Sequence, residues 1–244
     1  MRNSSNVNKL KYEETDINIR VIVNNSAPSI GEVHIEDDLD DAGIQIIPNV
    51  DANREIKFNV SFEDPDVDDF DRMSITFRGH NVSFNKTQGI IALESTDEAG
   101  NYSLEITVYD KSNVSASKTL LIEYKELSAV VLDTRSISLS ASEGGNITLE
   151  GDKDLNTFDK PTIKNVGNTK LNLGAISSGT ETLPFASIEF SIAGVKKALN
   201  TDLNVVNTAL KPGQMTGLNL YLNQGINLKK GTYSGKVIIV GIPA

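Results

Sequence analysis

Hydrophobic and polar residues alternate along most of the chain. In the segment IKFNVSF the apolar residues are Ile56, Phe58, Val60 and Phe62, and residues 101–110, NYSLEITVYD, repeat the pattern. A period of two turns one side-chain face towards a core and the other towards water, as in a β-strand that is buried on one side. No segment keeps the 3.6-residue period of an amphipathic helix over three turns. The pattern predicts an all-β protein.

Turn-forming residues separate these runs at short intervals. Examples are GDKD at 151–154, KPGQ at 211–214 and KKGT at 229–232. Gly, Pro, Asn and Asp favour tight turns, and short strands joined by such turns are typical of antiparallel β-sandwiches. Because an immunoglobulin-like sandwich takes about 100 residues, the chain of 244 residues has room for two in tandem.

The distribution of charge indicates where the two sandwiches meet. Residues 27–126 carry 21 acidic and 8 basic side chains, a balance of −13, whereas residues 127–244 carry 9 and 11, a balance of +2. The change falls in YKELSAVVLDT, between two strand-like runs. We therefore predict an N-terminal strand and linker at 1–26, an acidic immunoglobulin-like sandwich at 27–126 and a second sandwich at 127–244.

Composition narrows the classes of function. The net charge of −10 would repel a phosphate backbone, so we expect no nucleic-acid partner. No run approaches the roughly 18–20 apolar residues of a membrane helix, and the N-terminus lacks the apolar core of a signal peptide. The chain has no cysteine, so packing, glycans or ions must provide what disulfides would. We expect no membrane segment in this chain and, for an exported protein, a targeting segment outside it.

The first half resembles a known family type. Its segments follow the order NSAPSI, IKFNVSFEDPDVDDFDRMSITF, DEAGNYSLEITVYDKSN and SKTLLIEY. This order resembles the cadherin-like and PKD-like immunoglobulin-fold repeats of archaeal and bacterial cell-surface proteins, which have a proline-bearing linker, a D-P-D turn and a closing Y-x-L-x-V-x-V-x-D strand. The resemblance implies an immunoglobulin-like fold, a cell-surface location and a tyrosine-corner position for Tyr102.

The second half resembles the accessory β-sandwich modules of archaeal exoproteins. The segments that carry this resemblance are KPTIKNVGNTKLNLGAISSG and the terminal LKKGTYSGKVIIVG. Such modules often contain an N-x-G-N-x-x-L hairpin and end on G-T-Y-x-G-x-V-x-I. The glycine of that hairpin would provide a positive φ at the turn, here Gly167 followed by Asn168. These signatures are structural and indicate no activity.

Asparagine spacing carries the clearest functional signal. Of the 14 asparagines up to residue 148, eight lie in N-x-S/T sequons, and none of the ten beyond it do. The eight are Asn3, Asn24, Asn59, Asn81, Asn85, Asn101, Asn113 and Asn146. A sequon accepts N-linked sugar in an exported protein, although Asn, Ser and Thr are also common in turns and on exposed strand faces. The bias towards one part of the chain predicts covalent N-glycans there.

An acidic turn follows the strand at 56–62. Asp64, Asp66 and Asp68 alternate there, so a short loop can bring several carboxylates together. Repulsion between them would be relieved by a hard cation with six to eight oxygen ligands. The turn is not an EF-hand, because that loop has glycine at the sixth position and glutamate at the twelfth, where this chain has Asp69 and Ile75.

The family resemblance completes the predicted ion site. Cadherin-like repeats combine such a turn with an acid near the module edge, and the matching residue here is Asp110 in VYDKSN. The resemblance therefore implies calcium held by Asp64, Asp66, Asp68 and Asp110. The alternative is a solvated acidic turn without an ion.

The sequence offers little for catalysis. Its two histidines, His34 and His80, lie in no recognisable motif, and a nucleophilic triad needs a general base that titrates near pH 7. The sequence has no phosphate-binding loop, zinc-ligand spacing or nucleophile elbow. Acidic residues are abundant, so a glycosidase-type carboxylate pair stays open as an alternative. We expect that this protein is not an enzyme.

The pattern of the N-terminal segment KYEETDINIRVIVNN predicts a single strand that has no partner strand next to it in sequence. Its apolar residues Ile17, Ile19, Val21 and Val23 would share one face. A lone strand cannot satisfy its own backbone donors and acceptors, so it must pair with something. The partner is a preceding module, an edge of this chain, or a neighbouring subunit, as in donor-strand filaments.

These features predict a non-catalytic extracellular protein of a cell-surface layer, an adhesin stalk or a donor-strand filament. Its partners would be copies of itself or other surface proteins. The alternative is a carbohydrate-binding or spacer module of a secreted hydrolase. Sugar-binding platforms usually present tryptophan or coplanar tyrosines. Since the chain has no tryptophan and 6% aromatic residues, the structural role is favoured.

Overall fold

The structure, a computed structural model, describes residues 20–22, 24–36, 39, 43–66, 69–136, 145–178, 188–222 and 233–244. All regular secondary structure in these residues is β-strand, as the alternation predicts. No helix in this part of the chain is long and apolar enough to cross a membrane.

The first half forms two sheets. Its described strands are β1 Ser29–Ile35, β2 Ile44–Ile46, β3 Arg54–Glu63, β4 Phe70–Phe77, β5 His80–Asn81, β6 Phe84–Asn85, β7 Gln88–Leu93, β8 Gly100–Asp110 and β9 Ser115–Tyr124. One sheet has the order β1-β3-β7-β6 and the other β2-β9-β8-β4-β5. Neighbouring strands are antiparallel, except that β2 runs parallel to β9.

The core of this first sandwich follows from the alternation. Ile56, Phe58 and Val60 of β3 are buried and belong to one apolar cluster with residues of both sheets. Each fully buried side chain of this size contributes about 1.5–3 kcal/mol through loss of apolar contact with water. Phe62, at the end of the strand, is only partly buried and stacks on Phe70 with ring centroids 4.5 Å apart.

Tyr102 forms the contact that the family resemblance implies. Its hydroxyl donates a hydrogen bond to the carbonyl oxygen of Glu98, four residues upstream. The guanidinium of Arg78 lies 4.7 Å from the centre of the tyrosine ring and forms a 2.6 Å ion pair with Asp97. Tyr102 thus ties the start of β8 to the preceding turn, as a tyrosine corner does.

The second half forms another pair of sheets. Its described strands are β10 Val130–Leu132, β11 Ile147–Leu149, β12 Thr162–Asn165, β13 Leu171–Ser177, β14 Ile188–Ile192, β15 Val195–Ala198, β16 Asn204–Leu210, β17 Met215–Leu222 and β18 Val237–Pro243. One sheet has the order β10-β12-β17-β14-β15, with β11 also on β17, and the other β16-β13-β18. Phe190, Ile192 and Leu173 lie in its separate apolar core.

Two local predictions differ from the structure. Gly167 does not have a positive φ; instead, a Cβ at this position would collide with the linker, 2.7 Å from the backbone nitrogen of Ala129. The N-terminal strand is absent from residues 20–22 and 24–28, and Val21 is 76% exposed. The other predicted positions of that strand, Ile17, Ile19 and Val23, lie outside the described residues.

Candidate functional site

The acidic turn lies at one end of the first sandwich. The chain leaves β3 at Glu63 and enters β4 at Phe70, and Phe70 pairs with Asp110, the last residue of β8. This pairing places the end of β8 beside the loop. Asp64, Asp69 and Asp110 each offer a carboxylate oxygen, and these oxygens lie within 4.8 Å of one another. We call these three residues the acidic cluster.

Backbone hydrogen bonds shape the loop that carries two of these residues. The amide of Asp66 donates to Oδ1 of Asp64 over 3.0 Å, which is an Asx-turn. The amide of Asp69 donates to the carbonyl oxygen of Asp66 over 3.1 Å. The amide of Lys111 donates to the carbonyl oxygen of Asp69 over 2.8 Å. The loop is therefore tied to itself and to the residue after β8.

Asp110 is completely buried. Its Oδ1 accepts a hydrogen bond of 2.8 Å from the amide of Val114, and its Oδ2 accepts one of 2.7 Å from the side-chain amide of Asn25. The backbone amide of Asp110 also donates to the carbonyl oxygen of Val114 over 3.0 Å. These bonds offset part of the cost of burying a carboxylate and close the turn between β8 and β9.

The segment that enters the sandwich binds this loop. The side chain of Asn25 contacts Asp110, and the amide of the next residue, Ser26, donates to Oδ2 of Asp66 over 2.6 Å. The acidic turn therefore contacts the chain that leads to the N-terminus. Any ion held by the acidic cluster would lie at the junction of the first sandwich with what precedes it.

The electrostatics of the acidic cluster fit a hard cation. Partial burial raises the pKa of Asp69, and the negative charges of Asp110, Asp64 and Asp66 raise it further, while Lys111 lowers it. Within the described part of the chain, Oδ2 of Asp64 is buried and has no hydrogen-bond partner. Carboxylate oxygens are the ligands that calcium prefers, and a cation would both neutralise the repulsion and give the Asp64 oxygen a partner.

The acidic cluster differs in membership from the predicted ion site. Of the four predicted ligands, the structure brings Asp64 and Asp110 together. Asp66 lies in the same loop, but its carboxylate accepts the amide of Ser26, and Asp68 lies outside the described residues. Sequence alternation missed Asp69, because the turn at 66–69 breaks the period of two. The sequence feature that could have identified Asp69 is the pair of consecutive acidic residues at 68 and 69.

The sequon asparagines share one property. Asn24, Asn59, Asn81, Asn85, Asn101, Asn113 and Asn146 are all exposed, and Asn3 lies outside the described residues. In one sheet Asn59 and Asn85 both pair with Gln88, so the three form one row across its outer face. Asn81 and Asn101 belong to the opposite sheet. The predicted sugar sites are thus accessible on both outer faces of the first sandwich.

The histidines and the second sandwich provide few features of an active site. His34 in β1 and His80 in β5 are both exposed. A groove of about 630 Å³ in the second sandwich is lined mainly by polar and small residues, which include Asp152, Thr216 and Asn219, with no histidine among the lining residues. Hydrogen bonds, first from the amide of Asp154, lower the pKa of Asp152. An acid that is always ionised near neutral pH is a poor general acid.

No protein-family model and no curated protein sequence matches the chain. The solved structures that are similar include a Bacteroides ovatus surface glycan-binding protein of a mixed-linkage glucan utilisation locus. It is 18% identical, with a TM-score of 0.30, and the alignment covers 90% of this chain and 44% of that one.

Two further structures are similar at the same level. A structure of carbohydrate-binding modules from the β-sandwich superfamily is 14% identical, with a TM-score of 0.31, over 89% of this chain and 97% of that one. An α-L-rhamnosidase from Dictyoglumus thermophilum is 8% identical, with a TM-score of 0.29, over 91% and 29%. Scores this low carry no conclusion about this chain, whose all-β class rests on its own strands.

Proposed function

We propose that the chain is a non-catalytic extracellular structural protein, part of a cell-surface layer, an adhesin stalk or a filament. The observation that carries the proposal is the exposure of all seven described sequon asparagines, four of which, Asn59, Asn81, Asn85 and Asn101, lie on strands of both sheets of the first sandwich. Sugars at these positions would cover the sides of the sandwich. Its two ends would then be the surfaces left for contact with other protein modules.

The acidic cluster supports the same role. It lies at the end of the first sandwich where the N-terminal segment enters, and Asn25 and Ser26 already contact its loop. Calcium bound by Asp64, Asp69 and Asp110 would tie this segment to the sandwich and stiffen the junction. Weak extracellular calcium sites have dissociation constants of about 10⁻⁴–10⁻³ M, which suits a site that works outside the cell.

Glycopeptide mass spectrometry of protein purified from its native host tests the proposal. We expect N-glycans on Asn59, Asn81 and Asn101, and none on the asparagines beyond residue 148, which lack sequons and serve as the internal control. Unmodified peptides at all three positions would contradict the proposal.

The second candidate is a carbohydrate-binding or spacer module of a secreted hydrolase. It is favoured by the polar groove beside Asp152, Thr216 and Asn219. Affinity electrophoresis in gels that contain mixed-linkage glucan tests it. Retardation that is lost in Asn219→Ala would support this candidate over the structural role, and unchanged mobility would exclude mixed-linkage glucan as its ligand.

A further inference from the structure

The linker between the two sandwiches is held by one side chain. Asn168, which is 1% exposed, accepts a hydrogen bond of 2.6 Å at Oδ1 from the amide of Leu127 and donates one of 2.7 Å from Nδ2 to the carbonyl oxygen of Lys125. Its backbone amide donates to the carbonyl oxygen of Leu127 over 2.9 Å. One asparagine thus holds three backbone groups of the linker.

The two residues before Asn168 also bind the linker. The amides of Val166 and Gly167 both donate to the carbonyl oxygen of Ala129, over 3.0 and 3.2 Å. A side chain at Gly167 would collide with the carbonyl of Leu127 and lie 2.7 Å from the nitrogen of Ala129. Glycine is therefore required here because the linker backbone passes directly over it.

The hairpin that carries these groups is itself rigid. Asn165 is fully buried, and its side-chain amide donates to the carbonyl oxygens of Thr169 and Leu210 over 2.7 and 2.9 Å. Its Oδ1 accepts the amide of Gly167 over 3.0 Å. Both ends of the hairpin are thus fixed to the second sandwich, and residues 165–169 form what we call the junction clamp.

The junction clamp also contacts the body of the first sandwich. The amide of Ala99, in the turn between β7 and β8, donates to the carbonyl oxygen of Asn168 over 3.1 Å. Beside it, Thr96 of the same turn lies next to Gly213 of the turn between β16 and β17. The second sandwich therefore contacts both the linker and the turn at 94–100, and a flexible tether would make neither set of contacts.

We propose that the junction clamp makes the two sandwiches one rigid unit. Opening the junction would break the hydrogen bonds of the backbone groups of Lys125, Leu127 and Ala129 together, which favours the closed junction. β8 runs from Gly100, beside the junction, to Asp110 in the acidic cluster, a span of about 33 Å at 3.3 Å per residue. The second sandwich thereby sets the direction in which the acidic cluster points.

Distances between two spin labels test this rigidity in the full chain. Because the protein has no cysteine, Glu55→Cys and Lys197→Cys, both at exposed positions, can be labelled uniquely, one in each sandwich. We expect a single narrow distance distribution for the wild-type background. Asn168→Ala removes two linker hydrogen bonds, and Gly167→Ala forces the linker away, so each should broaden it. Asn204→Ala, whose side chain bonds within a surface turn, should leave it narrow.

Two results would overturn the proposal. One is a wild-type distribution as broad as that of the Asn168→Ala protein, and the other is a narrow distribution in both clamp variants. Limited trypsin digestion of the wild-type protein gives a reading that needs no variant. A closed clamp protects the bond after Lys125, so rapid release of fragments 1–125 and 126–244 from folded protein would also overturn it.

Discussion

Three carboxylates set the chemistry at the N-terminal end of the first sandwich. The raised pKa of Asp69 means that the folded protein holds a proton there more tightly than the unfolded chain does. The acidic cluster therefore favours folding when Asp69 is protonated and opposes it as pH rises through the raised pKa. A bound cation would have the same effect as the proton, without requiring acid.

Calcium is expected to stabilise the first sandwich. Millimolar calcium should raise the melting temperature of its unfolding transition, since a ligand that binds only the folded state stabilises it, and a chelator should reverse the shift. Asp69→Asn should lose most of the response, because one of the three carboxylates of the acidic cluster is gone. Asp51→Asn, in an exposed turn, is the control and should respond like the wild type. If calcium does not change the melting temperature of the wild type, the calcium site is contradicted and the acidic turn is only solvated.

The stability of Asp69→Asn should depend on pH in a defined direction. In chelator at neutral pH, the variant is expected to melt at a higher temperature than the wild type, because it lacks the partly buried charge and the repulsion from neighbouring carboxylates that together raise the pKa of Asp69. As pH falls through that raised pKa to the ordinary value of 3.8, Asp69 becomes protonated in the folded protein before it does in the unfolded chain, and the difference should close. Thermal melts of both proteins over a pH series measure the gap. A gap that stays constant would show that neither burial nor repulsion raises the pKa of Asp69 in the folded protein.

At the scale of the strands, close packing between neighbours depends on small residues as well as on large ones. Gly89 of β7 pairs with Phe58 of β3, and a Cβ on Gly89 would lie 2.6 Å from Cε1 of the phenylalanine ring. The ring of Phe58 is buried in the first core and has little space to move. Glycine at the second position of this strand is thus explained by the aromatic ring that covers it.

Gly89→Ala should therefore destabilise the first sandwich. Overpacking of a filled core lowers the free energy of unfolding by about 1–3 kcal/mol. We therefore expect the first sandwich to unfold at a lower urea concentration. Gln88→Ala, at the adjacent exposed position, is the matched control and should change stability by less than about 0.5 kcal/mol. Equal stabilities for the two variants would contradict the packing described here.

The sequence predicted the strands better than their partners. A period of two identifies the buried face of β3, so Ile56, Phe58 and Val60 were predicted correctly. Strand pairing is set by contacts far apart in sequence, and the period contains no information on the parallel pair of β2 and β9. Asp69 joins the acidic cluster because of the path of the turn at 66–69, which the period does not predict. The close contact at Gly167 likewise depends on the path of the linker.

At the scale of the whole molecule, the N-terminal segment carries two exposed apolar side chains. Val21 and Ile22 are 76% and 69% exposed beside a segment that binds the acidic turn. Large apolar side chains in water favour burial against another surface. A donor-strand contact with a second copy of the chain would bury Val21, which lies on the predicted donor face, and would satisfy the backbone of the segment.

If residues 1–23 act as a donor strand, deleting them should abolish polymerisation and leave both sandwiches folded. The deletion removes the predicted donor face, but it leaves Asn25, Ser26 and both cores intact. Electron microscopy and sedimentation of the full-length and truncated proteins measure assembly, and circular dichroism checks the fold. A peptide of residues 1–23 should bind the truncated protein. Unfolding of the truncated protein as a monomer would instead place the segment in its own domain.

Immunogold electron microscopy of the native source tests the central claim most directly. If the chain is a glycosylated structural protein of the cell surface, antibodies against the second sandwich, which has one sequon asparagine, Asn146, near its start, should label a continuous layer, stalks or fibres outside the cell. Enzymatic removal of glycans should thin that structure. Label confined to the cytoplasm, or to a soluble secreted hydrolase with no surface structure, would contradict the account.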